Sequence, residues 1–374
     1  MSKVYCAAPW RGLHINPRGD VKTCCAGDPN MLGNLNEQSV EEILHGPIMQ
    51  EIRQTLRQGR LHEKFCQNCI QAERYGRSER DWHNRLNPGF DPNLVSDQDH
   101  QPVLIDVRWN ITCNLSCNYC GDKCSSKWAR LKGVSVQSST RPYIKQVCEY
   151  LLQHQHTIRQ VALVGGEPLL LKENESVLDV TPDSALVNLI TNLSVDLENN
   201  RIFQRLAQRP RVGWNVSFDN VGDRFEYVRH GGHWDLIQSN IQRIRQCVGH
   251  EIGIHAVYNV YNATRLEELV SWAKSQRLDI HWQSLFQPEY LDPLRLGPEV
   301  QALALDELSR VLARPDLTSG ERGFLEQAGR NLHQQNTQCL IPQFRTHIQE
   351  IESTYHADQQ GKFAQLWPEL SNLL

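Results

Sequence analysis

From about residue 103 onward, short apolar runs alternate with amphipathic stretches. The runs are VLIDVRW, QVALVGGEPLL, ALVNLITNL, VGWNVSF, EIGIHAVYNV and LDIHWQSLF, each of strand length and rich in β-branched and aromatic residues. Between most of them lie helical patterns such as PYIKQVCEYLLQHQ, LENNRIFQRLAQ, HWDLIQSNIQRIRQ and TRLEELVSWAKSQ. A repeating strand-then-helix unit predicts a parallel sheet with crossovers of one hand. Six units are too few to close an eightfold barrel. The expected fold class is therefore α/β, a partial (β/α)6 TIM-like barrel whose functional loops follow the carboxyl ends of its strands.

The first hundred residues have another character. GLHINPRGDVKTCC holds a Pro-Arg-Gly-Asp turn signal, and two helical patterns, SVEEILHG and PIMQEIRQTLRQGRLHEKF, follow it. The Pro-, Asn- and Asp-rich stretch 87–102 reads as a connection, and beyond about residue 298 the pattern is helical to the end. The expected organisation is a small amino-terminal domain over 1–86, a linker over 87–102, the barrel over 103–297 and a helical extension over 298–374.

Composition narrows the class. The formal net charge of −4 over 374 residues shows no basic excess that would draw the chain to nucleic acid or an anionic membrane. No run of about 18 apolar residues occurs, and MSKVYCAAPWRG lacks the apolar core of a secretory signal, so a cytoplasmic protein is expected. Twelve cysteines in a reducing compartment are poor disulfide formers. Their grouping points to metal: Cys6, Cys24, Cys25, Cys66 and Cys69 lie in the first seventy residues, and Cys113, Cys117, Cys120 and Cys124 follow the first barrel strand.

Cys113, Cys117 and Cys120 make C-x3-C-x2-C, which lets one loop wrap three thiolates around a compact centre. Structural zinc takes four closed ligands, whereas three fit a [4Fe–4S] cluster with one iron left open. Cys124 is either a fourth ligand or a free thiol. This stretch resembles the signature of the radical S-adenosylmethionine (SAM) superfamily, C-x3-C-x-aromatic-C after the first strand of a partial barrel, with Tyr119 in the aromatic place. A second mark of that superfamily is matched by Gly165-Gly166-Glu167-Pro168, closing the second strand. The resemblance implies SAM bound at the open iron. Tyr119 would lie near its adenine, Gly165, Gly166, Glu167 and Pro168 near its ammonium group, and Ser217 and Arg229 on its carboxylate, with Asn192 facing the same cavity. His255, Tyr258, Asn259 and Gln283 are candidates for the substrate side.

In the amino-terminal group, Gly19-x4-Cys24 and the C-x2-C pair Cys66 and Cys69 suit a zinc knuckle on spacing alone. The wider pattern C-x2-PW, G-x4-C, C-x2-C resembles the Twitch form of the SPASM domain, which carries an auxiliary [4Fe–4S] cluster, although such domains mostly follow the barrel. The resemblance selects Cys6, Cys24, Cys66 and Cys69 as ligands, with Cys25 as the replacement for Cys24, since neighbouring side chains in a strand face opposite ways. Four ligands would close that cluster, giving it an electron-transfer or purely structural role. Cys148 and Cys247 lie in helical apolar patterns, where cysteine acts as a small hydrophobe, and Cys339 has no assigned place.

Together these resemblances imply a two-cluster enzyme that cleaves SAM reductively and removes a substrate hydrogen. The expected substrate is a ribosomally made peptide or protein; the alternatives are oxidation of a small aminocyclitol- or sugar-like molecule, or a non-catalytic iron–sulfur electron carrier. A reductant such as flavodoxin or ferredoxin is the implied partner.

Overall fold

The computed structural model describes residues 5–25, 30–74, 78–136, 142–285, 287–334 and 339–374. Its strands are β1 (Gly12–Ile15), β2 (Asp20–Lys22), β3 (Gly33–Asn34), β4 (Leu104–Val107), β5 (Gln160–Leu163), β6 (Leu186–Thr191), β7 (Val212–Ser217), β8 (His250–Tyr258) and β9 (Ile280–Ser284). They form one sheet in the order β3-β2-β1-β4-β5-β6-β7-β8-β9. From β4 to β9 neighbours are consecutive and parallel, the six-stranded partial barrel that the alternating pattern predicts.

The amino-terminal strands extend that same sheet. β1 pairs parallel to β4, Gly12 opposite Leu104 and Ile15 opposite Val107, and so covers an edge whose backbone groups would otherwise lack partners. The stretch 87–102 is held down rather than loose. Arg53, fully buried, donates to the Pro9 and Asp97 carbonyls. Arg57 pairs with Asp97 at 2.6 Å, and His100 bridges the Tyr150 hydroxyl and the Gly12 carbonyl.

The two faces of the sheet differ. Ile105, Val107, Val161, Leu163, Val187 and Leu189 are buried in the main core beneath the helices. The alternate residues face the barrel interior. On β4 and β5 both faces are buried, because Trp82 and Leu86 of the helix Glu79–Leu86 pack on Leu104, Ala162 and Val164, with Ile190 beside them. From β6 onward the interior face is partly exposed. The amino-terminal segment thus fills one side of the interior and leaves the other open.

Beyond residue 296 the helices Gly297–Leu312, Ser319–Leu332 and Ile341–Glu350 are followed by a π-helical turn, Ile351–Tyr355. The later part of this extension has its own core, in which Phe344, Phe363 and Trp367 pack around Tyr227 and Tyr261. Among the described residues no helix is long and apolar enough to cross a membrane.

Candidate functional site: two thiol loops on one sheet

The loop after β4 is fixed from three directions. Ser116 and Asn118 donate their backbone N–H groups to the carbonyls of His230 and Val228, at 3.0 and 2.8 Å. Ser125 Oγ donates to the Leu115 carbonyl, and Trp128 Nε1 to the Cys117 carbonyl, at 2.7 and 2.9 Å. The third support is the Gly-Gly-Glu-Pro turn, where Gly166 and Glu167 donate to the carbonyls of Asn110 and Thr112. A Cβ at Gly166 would stand 2.3 Å from the Thr112 oxygen, so only glycine permits this approach.

The loop brings Cys113, Cys117, Tyr119 and Cys120 into one small cluster around Leu115. Asn192 Nδ2 points at Cys113 Sγ from 3.6 Å, and Arg229 Nη1 lies 4.0 Å from Cys117 Sγ. Burial pushes the Cys117 thiol up to about 12 and raises that of Cys113. Hydrogen bonding to Cys124, followed by burial, raises Cys120 well above its usual value. Buried thiols of this kind become thiolates only when a metal supplies the compensating charge, and donors aimed at their sulfurs are what bound thiolates require. The residues therefore fit an iron–sulfur cluster.

The turn and the strand ends serve the protein first. Glu167, fully buried, accepts from Leu169 N, Thr191 Oγ1 and Asn192 N at 3.0, 2.7 and 2.7 Å. That carboxylate, expected to meet a ligand ammonium, also fixes the backbone of Asn192. Burial outweighs its three donors and lifts its pKa to about 7. Pro168 is buried and begins a 3-10 turn.

Asp219, absent from the sequence-based expectations, is a hub. Its Oδ2 accepts from the Tyr119 hydroxyl at 2.6 Å and from Arg229 at 3.2 Å, while its Oδ1 accepts from Val257 N at 2.7 Å. Arg229 also lies 5.4 Å from the Tyr119 ring centre. Burial works against the guanidinium charge, but the Asp219 carboxylate 3.2 Å away keeps Arg229 charged. Ser217 stands on the interior face, in register with His255. His255 and Gln283 share that face with Asn215, whereas Tyr258 is buried in the main core and Asn259 caps the short helix Val260–Ala263.

The amino-terminal thiols also converge. Cys6, Cys24, Cys66 and Cys69 line one pocket with Leu56, Phe65 and others. Burial pushes Cys6 up to about 12 and Cys69 to about 11. Cys25 does not line that cavity. Its thiol donates toward Glu79 at 3.8 Å and feels the charges of Asp106 and Arg108. Asp106 is held 3.0 Å from His14 Nδ1 and 3.3 Å from Arg108 Nε. Arg108 feels the charges of both Cys25 and Cys124. Among the described residues no three ligating side chains gather as tightly as a single metal ion requires.

Residues 6–70 match the SPASM family, an iron-sulfur cluster-binding domain, and that span contains all five amino-terminal cysteines. The amino-terminal part of the chain is thus similar to SPASM domains, and its C-x3-C-x-aromatic-C loop resembles the signature of radical SAM proteins. A 7-carboxy-7-deazaguanine synthase of Clostridium acetobutylicum is 39% identical to this chain over 89 residues, 23% of this chain and 36% of that one. The chain thus spans about a third of the length of the curated relative it matches. Among solved structures, native anSMEcpe with bound AdoMet is 18% identical with a TM-score of 0.42, covering 56% of this chain and 59% of that one. Streptococcus suis SuiB bound to precursor peptide SuiA is 14% identical with a TM-score of 0.41, covering 70% and 64%.

Proposed function

We propose that the chain is an enzyme with two [4Fe–4S] clusters, one held by Cys113, Cys117 and Cys120 and one by Cys6, Cys24, Cys66 and Cys69. Held by the three thiolates of the Cys113–Cys120 loop with one iron open, the first cluster would supply the electron for reductive cleavage of bound SAM, the chemistry that starts hydrogen abstraction from a substrate. The observation that carries this reading is the pair of donors, Asn192 from the end of β6 and Arg229 from the end of the helix Gly222–Val228, brought onto the sulfurs of one three-cysteine loop.

The protein's own groups divide the work. Asp219 orients Arg229 and Tyr119 together, which leaves Arg229 Nη1 turned toward Cys117. Glu167 fixes Asn192 from behind. Ser217 and Arg229 supply a hydroxyl and a guanidinium suited to a ligand carboxylate. The helix Glu79–Leu86 excludes water from the β4–β5 side of the interior, and the side from β6 to β9 is left for substrate.

That open, one-sided trough suits an extended segment, and we place a ribosomally made peptide or protein first. The second reading, a small aminocyclitol- or sugar-like molecule, is favoured by the hydrogen-bonding groups of Asn188, Asn215, His255 and Gln283 along the same face. Anaerobic loading with iron and sulfide, followed by SAM and dithionite, tests the core of the proposal: 5′-deoxyadenosine should accumulate. Two intact clusters without SAM cleavage would leave an electron carrier instead. Deuterium passing into 5′-deoxyadenosine from a labelled peptide or from a labelled aminocyclitol separates the two substrate classes.

A further inference from the structure

The segment that follows the cysteine loop has an inner and an outer side of opposite character. Inside, Trp128 of the helix Ser126–Leu131 is buried, and its indole is the donor to the Cys117 carbonyl. Outside, Lys123 and Cys124 are exposed before the helix, and every residue from Arg130 to Val136 is exposed. Among the described residues eight large apolar side chains are exposed, and three of them, Leu131 (41%), Val134 (46%) and Val136 (36%), fall within six consecutive positions. Between 123 and 136 the sequence places Lys123, Lys127, Arg130 and Lys132 and no acidic residue, although acids outnumber bases 43 to 39 in the whole chain. Asp122, just before this stretch, lies 3.1 Å from Lys132, whose Nζ is 5.7 Å from the Trp128 ring centre.

We propose that this face docks an acidic, low-potential electron-carrier protein that delivers electrons to the adjacent cysteine loop. The inference rests on the cluster reading given above. A few exposed apolar side chains interleaved with cations are the make-up of a small, transient interface. Cations on an otherwise acidic chain steer an acidic partner to this place and repel it elsewhere. The location favours a redox partner, since the same helix reaches a ligand-bearing residue through one hydrogen bond. In the transfer the carrier loses one electron and the cluster gains it, with no bond made or broken.

The test uses the full chain with both clusters loaded and compares it with the triple variant Lys123→Glu/Arg130→Glu/Lys132→Glu and its milder counterpart with glutamine at the same three positions. Reduction is followed by stopped-flow bleaching of the iron–sulfur absorption, driven by reduced flavodoxin at low and high salt, with dithionite as a small reductant. The flavodoxin-driven rate at low salt should fall at least about 10-fold in the glutamate variant and less in the glutamine variant. Dithionite reduction should be unchanged in both. An unaltered flavodoxin rate in the glutamate variant, or a loss equally large with dithionite, overturns the proposal. So does a shift from dimer to monomer in the variants, because a second copy would then be the occupant. If dithionite reduces no cluster in the wild-type protein, the cluster reading fails and this proposal fails with it.

Discussion

Asp219 holds a tyrosine, an arginine and a backbone amide with one fully buried carboxylate. Asp219→Asn keeps the shape and removes the charge, leaving Arg229 as a buried cation without its counter-ion. The expected cost is about 3 kcal/mol in denaturant unfolding, with weaker SAM binding because Arg229 and Tyr119 lose their shared anchor. At the other loop, Cys24→Ala should lower iron loading by about four atoms per chain, whereas Cys25→Ala should not, since Cys24 lines the cavity and Cys25 turns toward Glu79. Iron analysis of the two variants checks this, and equal losses would contradict it. Thiol spacing made the cysteines readable from sequence. Asp219 was not, because an aspartate just past a strand end has no spacing signature, and its role exists only once Tyr119 and Val257 are brought beside it. The glycines of Gly165-Gly166 were readable as positions but not as purposes: Gly166 is needed for contact with the chain's own loop.

The carboxyl-terminal extension acts on the cysteine loop through a side chain that no motif marks. His356, fully buried, follows the π-helical turn Ile351–Tyr355, an irregularity often found at functional places. Its Nε2 lies 3.0 Å from Ser116 Oγ, its ring stacks on His230 at 3.7 Å, and Trp128 lies against it. Ser116 sits between Cys113 and Cys117, so this contact holds the loop from outside. His356→Ala should destabilise the protein by about 2–3 kcal/mol and broaden the electron paramagnetic resonance of the reduced cluster. Ser116→Ala, which spares the stacked rings, should reproduce the spectral change at a smaller cost, about 1 kcal/mol. Unchanged spectra in both would reduce His356 to packing. Hydrophobic period gave the six barrel strands and the helices between them. It did not give the union of β1 with β4 or the seating of Glu79–Leu86 inside the barrel, since a pairing between residues 12–15 and 104–107 leaves no local trace.

The partial barrel is flanked by seams, one from each end of the chain, that hold histidines away from water. His83 and His100 lie where the amino-terminal segment meets the sheet, and the half-buried His347 and the buried His356 lie in the carboxyl-terminal extension. Burial is the leading cause that lowers each, to about 4 for His83 and His347 and about 3 for His100 and His356. A histidine whose folded pKa lies below its unfolded value near 6.5 binds its proton more readily when the chain is open. Its contribution is therefore complete above about pH 6.5 and is lost as pH falls toward 3 or 4. For His100, held by Tyr150 and Gly12, the loss by pH 5 is about 2 kcal/mol. Anaerobic urea unfolding between pH 7.5 and 5 should show wild-type stability falling with acid, and His100→Asn should fall less steeply by about that amount. Taking the difference between the two proteins cancels the proton release of the cluster thiols, which both share. Parallel slopes would mean that His100 is open to protonation in the folded state, and that the amino-terminal seam is looser than its hydrogen bonds imply.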